Sequence, residues 1–100
     1  MQVIRWQGTA EPQESTLRQR MQQQGLSPYS WSNGPGDTYA IHSHTYEKVL
    51  YCVHGSIRFV MPNSADNVDL TPGDCLILPA NTPHSAVVGS HGVMCIEAAR

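Results

Sequence analysis

His42 and His44 stand one residue apart, and His84 follows much later in the chain. A β-strand sends alternate side chains to one face, so His-x-His on a strand aims two imidazoles at one point. A third imidazole from a distant strand closes a three-nitrogen metal site with positions left open for water or substrate. Neutral imidazole suits Zn, Ni, Fe, Cu and Co alike, so the residue types do not choose the ion. His42, His44 and His84 are therefore the candidate ligands of a divalent transition metal, with Zn, Ni, Fe and Cu all open. The bland alternative for the pair is a polar edge strand facing solvent.

Two glycine-bearing segments surround these histidines. Gly36-x5-His42-x-His44 is closed by Gly55 after an apolar run, and Gly73-x5-Pro79 leads to His84. They resemble the two motifs of the cupin family, G-x5-H-x-H-x3,4-E-x6-G and G-x5-P-x-G-x2-H-x3-N. The resemblance spans roughly residues 30 to 98. It implies an all-β fold, a double-stranded β-helix (jelly-roll) barrel whose cavity holds the site, and a homodimer. It also implies three-histidine ligation, as in cupin dioxygenases that hold iron this way.

Four positions depart from or complicate the pattern. Counting back from Gly55 lands on Lys48 where the family has its metal-binding glutamate, and Glu47 sits one place earlier. Asn81 replaces a glycine, a mild change because Asn tolerates left-handed backbone. Val88 replaces the terminal asparagine. Lys48, the chain's one lysine, has three open readings. It binds an anionic substrate beside the metal and acts in catalysis, it pairs with a buried carboxylate such as Glu97, or it snorkels to solvent. Glu47 is the alternative fourth ligand, because a one-residue register change turns it inward and Lys48 outward. Otherwise it faces solvent, with Arg58 as a partner.

These residues need strands to position them. Short apolar runs separated by Gly/Pro turn signals predict strands at 39–44, 47–53, 56–61, 67–70, 75–78, 84–89 and 93–97. The turns fall at His54-Gly55, 62–64, 72–74, 81–83 and Gly89 to Gly92. Residues 25–37 read as turns around Tyr29-Ser30-Trp31. Within 11–24, Leu17 and Met21 form a thin stripe at helical spacing. Pro12, Glu11 and Glu14 suit its start and Gly25 its stop, so a short helix packed outside the barrel is expected. Residues 1–9 suggest an edge strand, with exchange onto a partner as an option. Residues 1–29 thus form an extension to a barrel at 30–98 in a single domain. Ile57, Leu76, Leu78, Val87, Val93 and Ile96 are the expected core. Tyr39 and Tyr46 flank the histidine pair, while Tyr51 and Phe59 suit barrel packing. His54 and His91 sit beside glycines and are expected at the surface.

Bulk properties narrow the function classes. A net charge of −2 over 100 residues argues against nucleic acid or an anionic membrane as partner. No apolar run reaches membrane-span length and no leader is evident, so a soluble cytoplasmic protein is expected. Three cysteines, an odd number without C-x-x-C spacing, suggest buried free thiols. No G-x-S-x-G, phosphate loop or H-E-x-x-H is present. The remaining readings are a metal-dependent enzyme on a small molecule, a non-catalytic small-ligand binding or sensing cupin, and a degenerate barrel kept for its oligomeric surface. A three-histidine iron dioxygenase is one form of the first.

Overall fold

A computed structural model describes residues 1–100. The elements are β1 (Gln2–Ile4), α1 (Glu14–Gln23), β2 (Tyr29–Asn33), β3 (Thr38–His42), β4 (Lys48–Val60), β5 (Asn67–Leu70), β6 (Cys75–Leu78) and β7 (His84–Ala99). Long strands β4 and β7 pair antiparallel along their length and form the spine. Each changes its outer neighbour halfway. The first half of β4 pairs β6 and the second pairs β5. The first half of β7 pairs β3 and the second pairs β2. One half-sheet therefore reads β1-β6-β4-β7-β2, the other β5-β4-β7-β3. Strands that pass from one sheet to another through bulges build the corners of a β-sandwich.

This corrects two predicted turns. Residues 47–53 and 56–61 are one strand, and so are 84–89 and 93–97. The glycine signals mark bends within strands. The step from Gly55 to Ile57 on β4 is matched by the longer step from Val93 back to Val88 on β7. Extra residues on one side of a ladder bend it sharply. Gly55 has φ +73°, and a Cβ there would lie 2.0 Å from the Gly92 carbonyl oxygen. No side chain fits at that corner.

Two apolar clusters follow from the alternation of β4. Leu50, Cys52, Ile57 and Phe59 point into the barrel, where they join Leu76, Leu78, Val93 and Cys95. Val49, Tyr51 and Val53 point outward, where Leu17 and Met21 of α1 cover them. The helix thus buries the far face of β4, which explains the continuous apolar run there. Leu17 and Met21 are fully buried, and each burial stabilises by roughly 1.5–3 kcal/mol. The helix starts at Glu14, with Pro12 just before its N-cap, Gln13. Among the expected core residues Val87 is the exception. It is exposed, because β7 alternates from His84 to Val88 and Ala86 and Val88 take the inward positions. All three cysteines are buried free thiols.

Candidate metal centre

β3 ends on His42, whose Cα partner across the ladder is His84 on β7. Their ring centroids are 4.4 Å apart. His44 lies beyond the strand, so strand alternation does not place it. Its backbone is held instead by the second motif segment, where the Asn81 N–H donates to the His44 carbonyl at 2.6 Å. Asn81 adopts φ 62° to make this turn, the conformation that the family's glycine permits. His44 then stands 4.9 Å from the His42 ring and 5.4 Å from the His84 ring.

The ring nitrogens converge. The Nδ1–H of His42 donates to the Ala40 carbonyl at 2.7 Å, and that of His84 to the Thr82 carbonyl at 2.8 Å. A carbonyl only accepts, so these bonds place the proton on Nδ1 and leave Nε2 a bare lone pair. The Nε2 atoms of His44 and His84 are buried with no hydrogen-bond partner. One nitrogen from each of the three rings lies within 4.8 Å of the others. Leaving such an atom unpaired costs about 1–3 kcal/mol. Two side by side, that of His84 fixed as a bare lone pair by its Thr82 bond, fit a cation that accepts them. Burial lowers the pKa of His44, helped by the Lys48 charge and His42. Burial also lowers that of His84, against the raising effect of its Thr82 bond. Both rings are therefore neutral at pH 7, the form that ligates metal.

Lys48 shares a cavity of about 310 Å³ with the three histidines. It does not snorkel, for only 8% of the residue is exposed. Its Nζ lies 3.3 Å from Glu97 Oε2, and Trp31 Nε1–H donates to Glu97 Oε1 at 2.5 Å. Glu47 points elsewhere. It accepts from Arg100 Nε at 2.6 Å, and its carbonyl accepts from the Arg100 N–H. The register puts Lys48 at the inward position that leads to Leu50 and Cys52, which turns Glu47 away from the histidine cluster. Arg58, the expected Glu47 partner, is bonded to Asp69 across β4–β5.

Other sequence readings divide. Tyr39 and Tyr46 line the cavity, as does Phe59, while Tyr51 packs beneath α1. His54 and His91 are exposed; His54 Nδ1 lies 2.6 Å from Glu11 Oε1. Sequence reasoning missed Tyr29 and Trp31 as cavity wall. They belong to β2, which the surrounding Gly and Pro residues disguised as loop. The available signal was the alternation Tyr29, Trp31, Asn33. Burial and the adjacent Glu97 carboxylate push the Tyr29 hydroxyl up to about 12.

The Cupin domain family matches residues 31–96, most of the chain. The chain belongs to the cupin family. This cupin is 40% identical over 62 residues to quercetin 2,3-dioxygenase of Bacillus subtilis (strain 168), a match covering 60% of this chain and 18% of that enzyme. It therefore spans less than a fifth of that relative's length. Among solved structures, DMSP lyase DddQ from Ruegeria pomeroyi DSS-3 superposes with a TM-score of 0.68 at 25% identity, covering 75% of this chain and 38% of that one. The polyketide cyclase RemF from Streptomyces resistomycificus gives 0.67 at 23% identity, covering 74% and 53%. That last likeness is one of fold.

Proposed function

We propose that this cupin holds one divalent transition metal on His42, His44 and His84 and binds or transforms a small molecule in the adjoining cavity. The observation that carries the reading is the pair of buried, unpartnered Nε2 atoms of His44 and His84, in a cluster where the Nδ1–H groups of His42 and His84 are already spent on backbone carbonyls. Those two carbonyl bonds fix ring tautomer and orientation, the usual support for a ligating histidine. When bound, such an ion supplies Lewis-acid polarisation of a substrate oxygen or a more acidic water. The chain itself provides largely apolar walls and one ammonium, Lys48, beside the cluster.

Elemental analysis of untagged protein purified without chelator, beside a His42→Ala/His44→Ala variant, tests this. The expected result is about one equivalent of metal, lost in the variant. Absence of metal from both proteins after reconstitution with zinc, nickel, iron and copper overturns the proposal.

The identity to a quercetin dioxygenase favours a narrower second reading, oxygen chemistry, with iron as the ion that the resemblance to three-histidine cupin dioxygenases suggests. Iron-loaded protein is then expected to consume dioxygen in step with an organic substrate, and zinc-loaded protein is not. A second copy of the chain is retained as partner, supported by exposed Ile4 at the β1 edge. Sedimentation should give twice the chain mass.

A further inference from the structure

Lys48 has more donors than the chain uses. An ammonium carries three N–H groups. One is engaged by Glu97 Oε2 at 3.3 Å, and the ammonium donates to no carbonyl or hydroxyl of the chain. It faces the same cavity as the histidine cluster. Each Glu97 oxygen is engaged, one by Lys48 and the other by Trp31 Nε1–H. Glu97 is a brace for the ammonium, and as a carboxylate it has no proton to donate to an anionic ligand.

The charges make the same point. Lys48 and Glu97 cancel, and three neutral imidazoles add nothing. A divalent ion in this pocket is then left with two uncompensated positive charges among apolar walls, which is costly. In the family pattern the glutamate at this position removes one of them. Here a lysine stands there, so the missing negative charge must arrive with the ligand. Tyr29, Tyr46, Leu50, Ile57 and Phe59 form apolar walls on the remaining sides, suited to a carbon body. The volume, about 310 Å³, is at the small end of ligand pockets.

We infer that the cavity selects a small organic anion of carboxylate or enolate type, seated between the three-histidine cluster and Lys48. Lys48 is the specificity-determining residue, and Glu97 and Trp31 are positioning residues that hold its ammonium. This rests on the metal reading above, so zinc affinity is measured separately from anion affinity.

Calorimetric titration of the zinc-loaded protein with acetate, pyruvate and benzoate, with benzamide as uncharged isostere and inorganic phosphate as a body-less anion, tests the inference. At least one carboxylate should bind. Benzoate should bind roughly tenfold or more tightly than benzamide, the difference expected from a charged hydrogen bond, and should exceed phosphate. Lys48→Met/Glu97→Gln removes the pair without stranding either charge. It should cut benzoate affinity by about tenfold or more with zinc affinity within about threefold. Should the double variant fail to fold, Lys48→Gln, whose neutral amide can still donate to Glu97, must show the same loss of benzoate. Trp31→Phe should lower the benzoate-to-benzamide ratio, a readout that altered packing alone does not move. Equal binding of benzoate and benzamide, preference for phosphate, no carboxylate binding, or unchanged benzoate affinity in the Lys48 variants would each overturn the inference while leaving the metal site standing. Failure of the wild-type chain to take up zinc overturns both.

Discussion

Asp74 and the cavity cluster are both buried polar sites, and they are finished to different degrees. Asp74 Oδ1 accepts the Trp6 N–H at 3.0 Å. Its Oδ2 accepts from the Thr71 N–H, the Thr71 hydroxyl and Arg5 Nη1 at 3.0, 3.1 and 2.9 Å. Burial alone would raise its pKa, but these donors outweigh burial and hold the carboxyl below its ordinary value. The site ties the N-terminal segment to the turn before β6 and has nothing left to offer. At the histidine cluster, two Nε2 atoms lack partners and Lys48 keeps spare donors. Buried polar groups in folded proteins are normally satisfied. A saturated cluster is architecture, whereas an unsaturated one still has lone pairs and donors to offer.

Five experiments break or sharpen that contrast. The largest effect is expected from His42→Ala/His44→Ala. Metal affinity should fall by well over the roughly 10–100-fold seen for outer-shell partners, while the metal-free fold loses no more than about 1 kcal/mol. Asp74→Ala should do the reverse. It strands the Trp6 and Thr71 N–H groups, so urea unfolding should show a loss of about 3 kcal/mol with metal affinity intact. Lys48→Glu should tighten metal binding by roughly tenfold, since a carboxylate replaces an ammonium beside the ion.

The pH dependence should separate the two sites. His44 and His84 have folded pKa values below their unfolded value of about 6.5. Above that pH both states are neutral and stability is full. As pH falls below it the unfolded chain takes up protons first, so metal-free stability and metal affinity both decline. Asp74 keeps its contribution above the unfolded carboxyl value of about 3.9 and loses it only as pH falls through its lowered folded pKa. An Asp74→Ala chain should therefore retain the decline below about 6.5 and lose Asp74's share of the one at strong acid, leaving that of Asp69, which Arg58 holds below its ordinary value. The smallest effect belongs to Glu47→Gln. Its half-exposed pair with Arg100 is worth at most about 1 kcal/mol, and metal affinity should not change.

Much of this molecule was legible because local chemistry repeats with a period. The alternation at 67–70 and the apolar run at 75–78 between turn signals marked β5 and β6 to the residue, and Leu17 with Met21 marked the buried face of α1. Glycine was misread at Gly55 and Gly89 to Gly92. A positive-φ residue looks the same in a hairpin turn and in a bulge, and only the partner strand's register distinguishes them. The Val87 error has the same origin, for inward and outward phases of β7 are set by pairing.

The sequence by itself determined the inventory and its approximate addresses: three imidazoles in two motif segments, a lysine where the family carries glutamate, and the strands that bring them near. Only the tertiary structure decided what those groups meet. Asn81 holds the His44 backbone from a distant turn, and the register of β4 against β6 turns Lys48 inward and Glu47 outward. Trp31 and Glu97 meet because β2 pairs with β7. The physical reason is that the Thr45–Glu47 turn has no period, so side-chain parity is lost across it. It is restored by hydrogen-bonded pairing with strands far away in the chain.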